Sequence, residues 1–405
     1  MLLAAVLVGG VAGATLLLTH ASTSSRAVAH VAARRPPVLK RGRLPSRSPA
    51  RRAERTGAGL RRPLLQRLSL PQLAGQRIVY AYAGLTPPPS LLSAIRAGEA
   101  GGVIFFGPNI ASLGQIRRVI AQLQRASLAS PLRTPLLMLT DQEGGEVRRL
   151  RGAPALSEKQ IGESRDGVSL ARAAGGGAGE NLHAVGMNVN LAPVVDVYRR
   201  AGNFIDQFQR SYSQQPRTVA RLGAAFITAQ QHDGVAATAK HFPGLGSAAQ
   251  HQDTDLGPVT LGVSLATLHA VDEAPYRTAI AAGVKLVMTS WAVYPALDPR
   301  RPAGLSARVI QGELRGRLGF RGVVITDGID AGAVTPYGSL ARRVVLAAAA
   351  GADLILCVTT NPADNTPALG SAARSALVSA LAHHQLNQAS IQQAAQRVLA
   401  LRLRP

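Results

Sequence analysis

Residues 235–246 read VAATAKHFPGLG, and the order of residue types in them sets the architecture. A short uncharged run of small and β-branched residues leads into a Lys–His pair and then a Pro–Gly turn. This describes a strand covered on both faces whose far end carries polar side chains. Seven more runs share the pattern: RIVYAYAG (77–84), GGVIFFG (101–107), PLLMLTD (135–141), NVNLAPVVDV (188–197), VKLVMTSW (284–291), GVVITD (322–327) and ADLILCVT (352–359). They are continuous rather than alternating, as a parallel sheet between helices requires. Between them lie amphipathic stretches. Ser112 and Gln115 have capping-box spacing ahead of Ile116, Val119, Ile120 and Leu123, and Ser390 and Gln393 repeat it ahead of Ala394, Val398 and Leu401. Eight strand–helix units predict an α/β fold, a (β/α)8 TIM-type barrel forming a single domain. A doubly wound sheet is the other arrangement of such units, but no glycine fingerprint follows the first strand.

In a barrel, chemistry gathers where the strands end. Asp141, Asp196, the Lys240–His241 pair and Asp327 each close a different apolar run. Any one of them reads equally well as a capping or loop residue. Four at the same end of four strands read as the rim of one mouth.

The front of the chain is of another kind. Residues 1–25 hold no Lys, Arg, Asp or Glu and include the apolar run Leu2–Leu18. They are expected to be a signal peptide or membrane anchor, although the basic residues follow the run rather than precede it. Residues 26–62 contain twelve of the 45 Lys and Arg residues and one of the 22 acids, Glu54. This Pro/Arg-rich stretch is expected to be a disordered linker drawn to an anionic membrane or wall polymer. Residues 63–405 are left for the barrel. The single cysteine, Cys357, lies in a core strand, and the nine histidines show no metal-ligand spacing, so neither a cofactor nor a metal is expected. The basic stretch lacks aromatic residues that stack on bases, which argues against nucleic acid despite the net charge of +23.

TDQEGGEVRRL (140–150), NLAPVVDV (190–197), QRSY (209–212), KHFPGLG (240–246), VMTSWAVYPALD (287–298), the run from Gly304 to Val334 and AGADLILC (350–357) follow one another in an order that resembles glycoside hydrolase family 3. The likeness is to its single-domain β-N-acetylglucosaminidase (β-hexosaminidase) branch and spans roughly residues 70–405. It implies a retaining exo-β-glycosidase acting on cell-wall (peptidoglycan-type) or related glycans outside the cytoplasm, as a secreted or membrane-anchored protein. By the same resemblance Asp327 matches the nucleophile, Asp141 the acceptor of sugar hydroxyls, and Arg149, Arg210, Lys240 and His241 the donors that hold the sugar. Asp330 is assigned to the turn after the strand. Trp291 stands where the branch often has a histidine, and stacking on a sugar and packing in the core are both open for it.

The loop after KHFPGLG departs from the branch. Leu245 replaces a histidine, and His251-Gln252-Asp253 reverses the order of the Asp-x-His pair whose histidine serves as the branch's general acid/base. Three readings stand. His251 carries the proton and Asp253 orients it; Asp253 or Asp255 serves as a carboxylic acid; or the loop has lost the function and the barrel binds glycan without cleaving it. A β-glucosidase-type specificity is the further alternative.

Overall fold

The computed structural model describes residues 67–404. The expectations for residues 1–25 and 26–62 fall outside them. Eight strands close into a parallel barrel: β1 Ile78–Tyr80, β2 Gly102–Ile104, β3 Leu137–Thr140, β4 Val189–Asn190, β5 Ala236–Phe242, β6 Leu286–Thr289, β7 Val323–Gly328 and β8 Leu354–Leu356. Each pairs with its neighbours in sequence, and β1 pairs with β8 through Ile78↔Ile355 and Val79↔Leu356. All eight apolar runs supply their expected strand.

Strand side chains alternate between two separate clusters, as a period of two demands. Val79, Ile104, Leu139, Leu191, Met288 and Ile325 belong to the inner one. Their neighbours Ile78, Val103, Met138, Val287 and Val324 pack outward with the helices. Val398 and Leu401 join the inner cluster from the last helix, Gln388–Leu403, which thereby plugs the N-terminal end of the barrel.

Helix Leu113–Leu128 begins as expected, with Ser112 accepting from the Gln115 N–H at 3.1 Å. At the last helix the expected cap is displaced. Asn387 is the N-cap and accepts from the Ser390 N–H at 3.0 Å, so Ser390 lies inside the first turn. Both residue types can cap, and the spacing alone favoured the wrong one by a turn. Among the described residues no helix is long and apolar enough to cross a membrane.

Candidate active site

A cavity of about 460 Å³ opens at the C-terminal end of the strands. One wall is apolar, from Ile104, Phe106, Leu191, Met288, Leu356 and Val358, the tops of the inner cluster. The facing wall is charged and includes Asp141, Glu143, Arg149, Arg210, Lys240 and His241. Asp253, Asp255 and Asp327 complete it. The structure thus brings together all the sequence-derived site residues except His251, which is exposed and is not part of the cavity wall, and Asp196, which is buried behind His241.

Lys240 and His241 are adjacent in sequence yet both line the cavity, where the pairing of β5 with β6 shifts register between Ala239 and Phe242. Lys240 Nζ lies 2.8 Å from Asp141 Oδ1 and 2.6 Å from Glu143 Oε1. Arg210 grips Glu143 bidentately, Nε to Oε2 at 2.9 Å and Nη2 to Oε1 at 3.0 Å. Burial works to raise the Glu143 carboxyl, but the charges of Arg210 and then Lys240 outweigh it and hold it at about 2. Burial likewise opposes the charge on Lys240, yet Asp141 and Glu143 raise its pKa. Glu143 is therefore ionised between its two cations, and Asp141 keeps its second oxygen, Oδ2, free of hydrogen bonds from the described residues.

Behind the clamp lies a chain of orienting bonds. His241 Nδ1 sits 2.8 Å from Asp196 Oδ2, and its Nε2 lies 3.5 Å from Arg210 Nη2. An arginine can only donate, so this geometry assigns the proton to Nδ1, which donates to Asp196. The other oxygen of Asp196 accepts from the backbone N–H of His241 at 3.2 Å and of Leu245 at 2.7 Å. Leu245 thus ties the loop down through its backbone while its side chain lines the cavity.

Asp327 closes β7, and its Oδ1 accepts from the Gly328 N–H at 2.8 Å. Trp291 is buried; its Nε1 donates to the Gly328 carbonyl at 2.8 Å, and its ring leaves no room for a side chain at Gly304. Packing is its role, not a sugar platform. Asp330 accepts from Arg343 at 3.3 Å, a contact to the next helix in keeping with its turn assignment.

In the loop, Asp253 Oδ1 accepts from the Asp255 N–H at 2.8 Å, a local turn that fixes the direction of Asp255. The Asp255 carboxyl is pushed up to about 7, first by burial, then by the charges of Asp327 and Asp253. The residue is exposed at the cavity mouth, and the part of this rise due to lost hydration grows when a ligand covers it.

Two acids escaped the sequence reading. Glu143 sits two residues beyond the strand-end aspartate, in a small hairpin with Val147–Arg148. Glu158 opens helix Glu158–Glu163, is fully buried, and accepts from the Val194 N–H at 2.9 Å. Burial and the charge of Glu143 push its carboxyl well above the usual range. Its only sequence signal was a glutamate in a helical first turn, which is commonplace. Elsewhere His269, Glu273 and Glu313 bring potential metal ligands within 4.8 Å of one another, but the Arg317 guanidinium already bridges both glutamates.

The sequence model of the glycosyl hydrolase family 3 N terminal domain matches residues 86–401. The chain is 44% identical over 333 residues to a protein of Arthroderma benhamiae described as an uncharacterized secreted glycosyl hydrolase, covering 82% of this chain and 92% of that one. Among solved structures it is similar to a family 3 β-N-acetylglucosaminidase from Paenibacillus sp., with a TM-score of 0.77 and 36% identity over 83% of this chain and 62% of that one. A β-N-acetylhexosaminidase from Beutenbergia cavernae gives a TM-score of 0.74 and 34% identity over 83% of this chain and 98% of that one. With its barrel, its ionised clamp and this match over most of its length, the chain belongs to glycosyl hydrolase family 3 and is a glycoside hydrolase.

Proposed function

We propose that the protein is a retaining exo-β-N-acetylhexosaminidase working outside the cytoplasm on cell-wall or related glycans. Support for the sugar comes from the solved relatives, a β-N-acetylglucosaminidase and a β-N-acetylhexosaminidase, and support for the location from the secreted relative. The observation that carries the mechanism is one cavity holding Asp327 at a strand end and Asp255 at about 7. Asp327 attacks the anomeric carbon as the carboxylate. Asp255, protonated, gives its proton to the departing glycosidic oxygen.

Once the glycosyl–Asp327 ester forms, the negative charge that raised Asp255 is gone. Its pKa then falls, which suits the ionised base needed to take a proton from water and release the sugar. Asp141 Oδ2 and Arg149, whose Nε has no partner, are the groups left to bind sugar hydroxyls. Lys240 and Arg210 hold Asp141 and Glu143 in place as the sugar binds, and His241 backs Arg210. Of the three readings of the loop this is the carboxylic-acid one. It is favoured over His251 because that imidazole stands outside the cavity.

The test is the pH profile of kcat/KM on an aryl N-acetyl-β-glucosaminide, beside the matching β-glucoside. Activity should fall as pH rises through about 7, because the protonated form of Asp255 is the active one. Asp255→Asn should remove that limb, and on this activated substrate added azide should restore turnover by attacking without a base. An unshifted limb in Asp255→Asn together with its loss in His251→Ala would return the role to the imidazole. Inert wild-type protein that still binds the sugar would leave a glycan-binding barrel.

A further inference from the structure

The opposite end of the barrel holds a second cavity, of about 510 Å³, between helix Arg308–Arg317, the end of helix Leu340–Ala350 and the last helix. Arg321 precedes β7, and Gly351 and Ala352 precede β8, which places it at the strands' N-terminal ends. Three arginines, Arg315, Arg321 and Arg397, line it, and no carboxylate does. A fourth, Arg77, is fully buried behind it and donates to the carbonyls of Ala352 and Asp353.

Among the described residues one acid, Asp353, pairs with these cations, and it reaches two of the four, Arg315 and Arg397. Asp353 Oδ2 accepts from Arg315 Nη2 at 2.6 Å and the Val324 N–H at 2.8 Å, while its Oδ1 takes Arg397 Nε at 2.9 Å and Nη2 at 2.8 Å. That carboxylate has no capacity left. Arg321 is exposed and has no hydrogen-bond or ion-pair partner among the described residues, and the same holds for the side chains of Gln311 and Gln393 in the same wall. Arg315 keeps a buried Nε without a partner. Positive charge here is under-compensated. Burial is the main cause that holds Arg77 down at about 10 and lowers Arg315, and Arg397 adds to both.

We propose that this cavity binds a small phosphate-type oxyanion, with Arg321 and Arg397 as its charged donors and Gln311 and Gln393 as its neutral ones. Planar guanidinium groups suit the tetrahedral oxyanion bidentately. The volume leaves room beside the oxyanion for a polar organic part, so a phosphomonoester is the proposed ligand. The site is separate from the glycosidase cavity and does not depend on the reading of that cavity.

Calorimetric titration of the full chain at constant ionic strength, with inorganic phosphate in one arm and glycerol 3-phosphate in the other, tests it. Both should bind saturably at one site, the ester more tightly; equal affinity, or a preference for the free ion, would overturn the ester assignment. Arg321→Ala should weaken binding about tenfold, the loss expected for one charge-assisted hydrogen bond. Arg321→Glu should abolish it, and Gln393→Ala, on the last helix, should weaken it by about threefold. Aryl glycoside hydrolysis without phosphate should be unchanged in all three. No saturable heat in either arm, or undiminished binding in Arg321→Glu, overturns the site.

Discussion

At the C-terminal end of the barrel, Lys240 and Arg210 meet two carboxylates, Asp141 and Glu143, and all four groups border open space. At the other end, Arg315 and Arg397 share a single carboxylate, Asp353, which is wholly buried. The difference lies in what each network leaves unsatisfied. The upper one is balanced yet keeps Asp141 Oδ2 and Arg149 Nε without partners, so its spare capacity points at a ligand. The lower one fills every acceptor position of Asp353, ties the last helix to β7 and β8, and has only donors to spare, among them Arg315 Nε. Charges at the upper end should therefore govern turnover, and Asp353 at the lower end should govern stability.

The sharpest way to break this contrast is at Asp327. Asp327→Asn should cut kcat on an aryl glycoside by roughly four orders of magnitude or more, because in the proposed mechanism Asp327 is the group that forms the covalent intermediate. Its unfolding midpoint should stay near the wild type's, since the side chain's one hydrogen bond is to its own neighbour's N–H. Retained turnover would move the nucleophile elsewhere.

The lower end should give the reverse. Asp353→Ala leaves Arg315 and Arg397 facing each other with no counter-charge and strips a partner from the Val324 N–H. Breaking a buried pair in this way costs about 3–5 kcal/mol. Urea unfolding should show that loss, while kcat per folded molecule stays unchanged. A stable variant with impaired kcat would mean the two ends are coupled through the sheet.

How much of this could be read beforehand differs between strands and loops. A strand buried on both faces has one solution, a short continuous apolar run, so VVIT before Asp327 and LIL after Asp353 announce themselves. The polar residue that closes such a run is then legible too, and Asp141, Lys240 and Asp327 were. Glu143 was not, because its hairpin bends it back toward the clamp by a turn that periodicity does not encode. His251 and Asp255 show the same limit from the other side. Both lie in one loop, and only the turn made by Asp253 decides which of them is aimed at the cavity.

Trp291 probes the join between scaffold and chemistry, with a smaller effect. Its indole N–H holds the carbonyl of Gly328, which also accepts from the Ala331 N–H at 3.2 Å. Trp291→Phe keeps most of the packing and removes one of two bonds, so about 1 kcal/mol, or roughly fivefold in kcat/KM, is expected. The fall should appear in kcat rather than KM, because the indole positions the strand end of Asp327 and does not line the cavity.

The smallest expected effect on turnover lies beneath the clamp, at Glu158. Its carboxyl is buried against Glu143, Arg210, Lys240 and the Tyr212 side chain, and Glu143 takes the nearby cations for itself. Burial and that negative neighbour keep Glu158 protonated in the folded protein well above 4.5, where the unfolded chain ionises. Below that value both states hold the proton, and the folded state has the full benefit. As pH rises past it the unfolded chain sheds the proton and the folded one does not, so stability declines until the folded pKa is passed, by up to about 1.4 kcal/mol per pH unit. Glu158→Gln has no proton to lose. Its unfolding midpoint should therefore gain on the wild type between pH 5 and pH 8, with kcat/KM nearly unchanged, whereas a constant difference across that range would mean that Glu158 is ionised in the folded protein and that the clamp must hold a second buried negative charge.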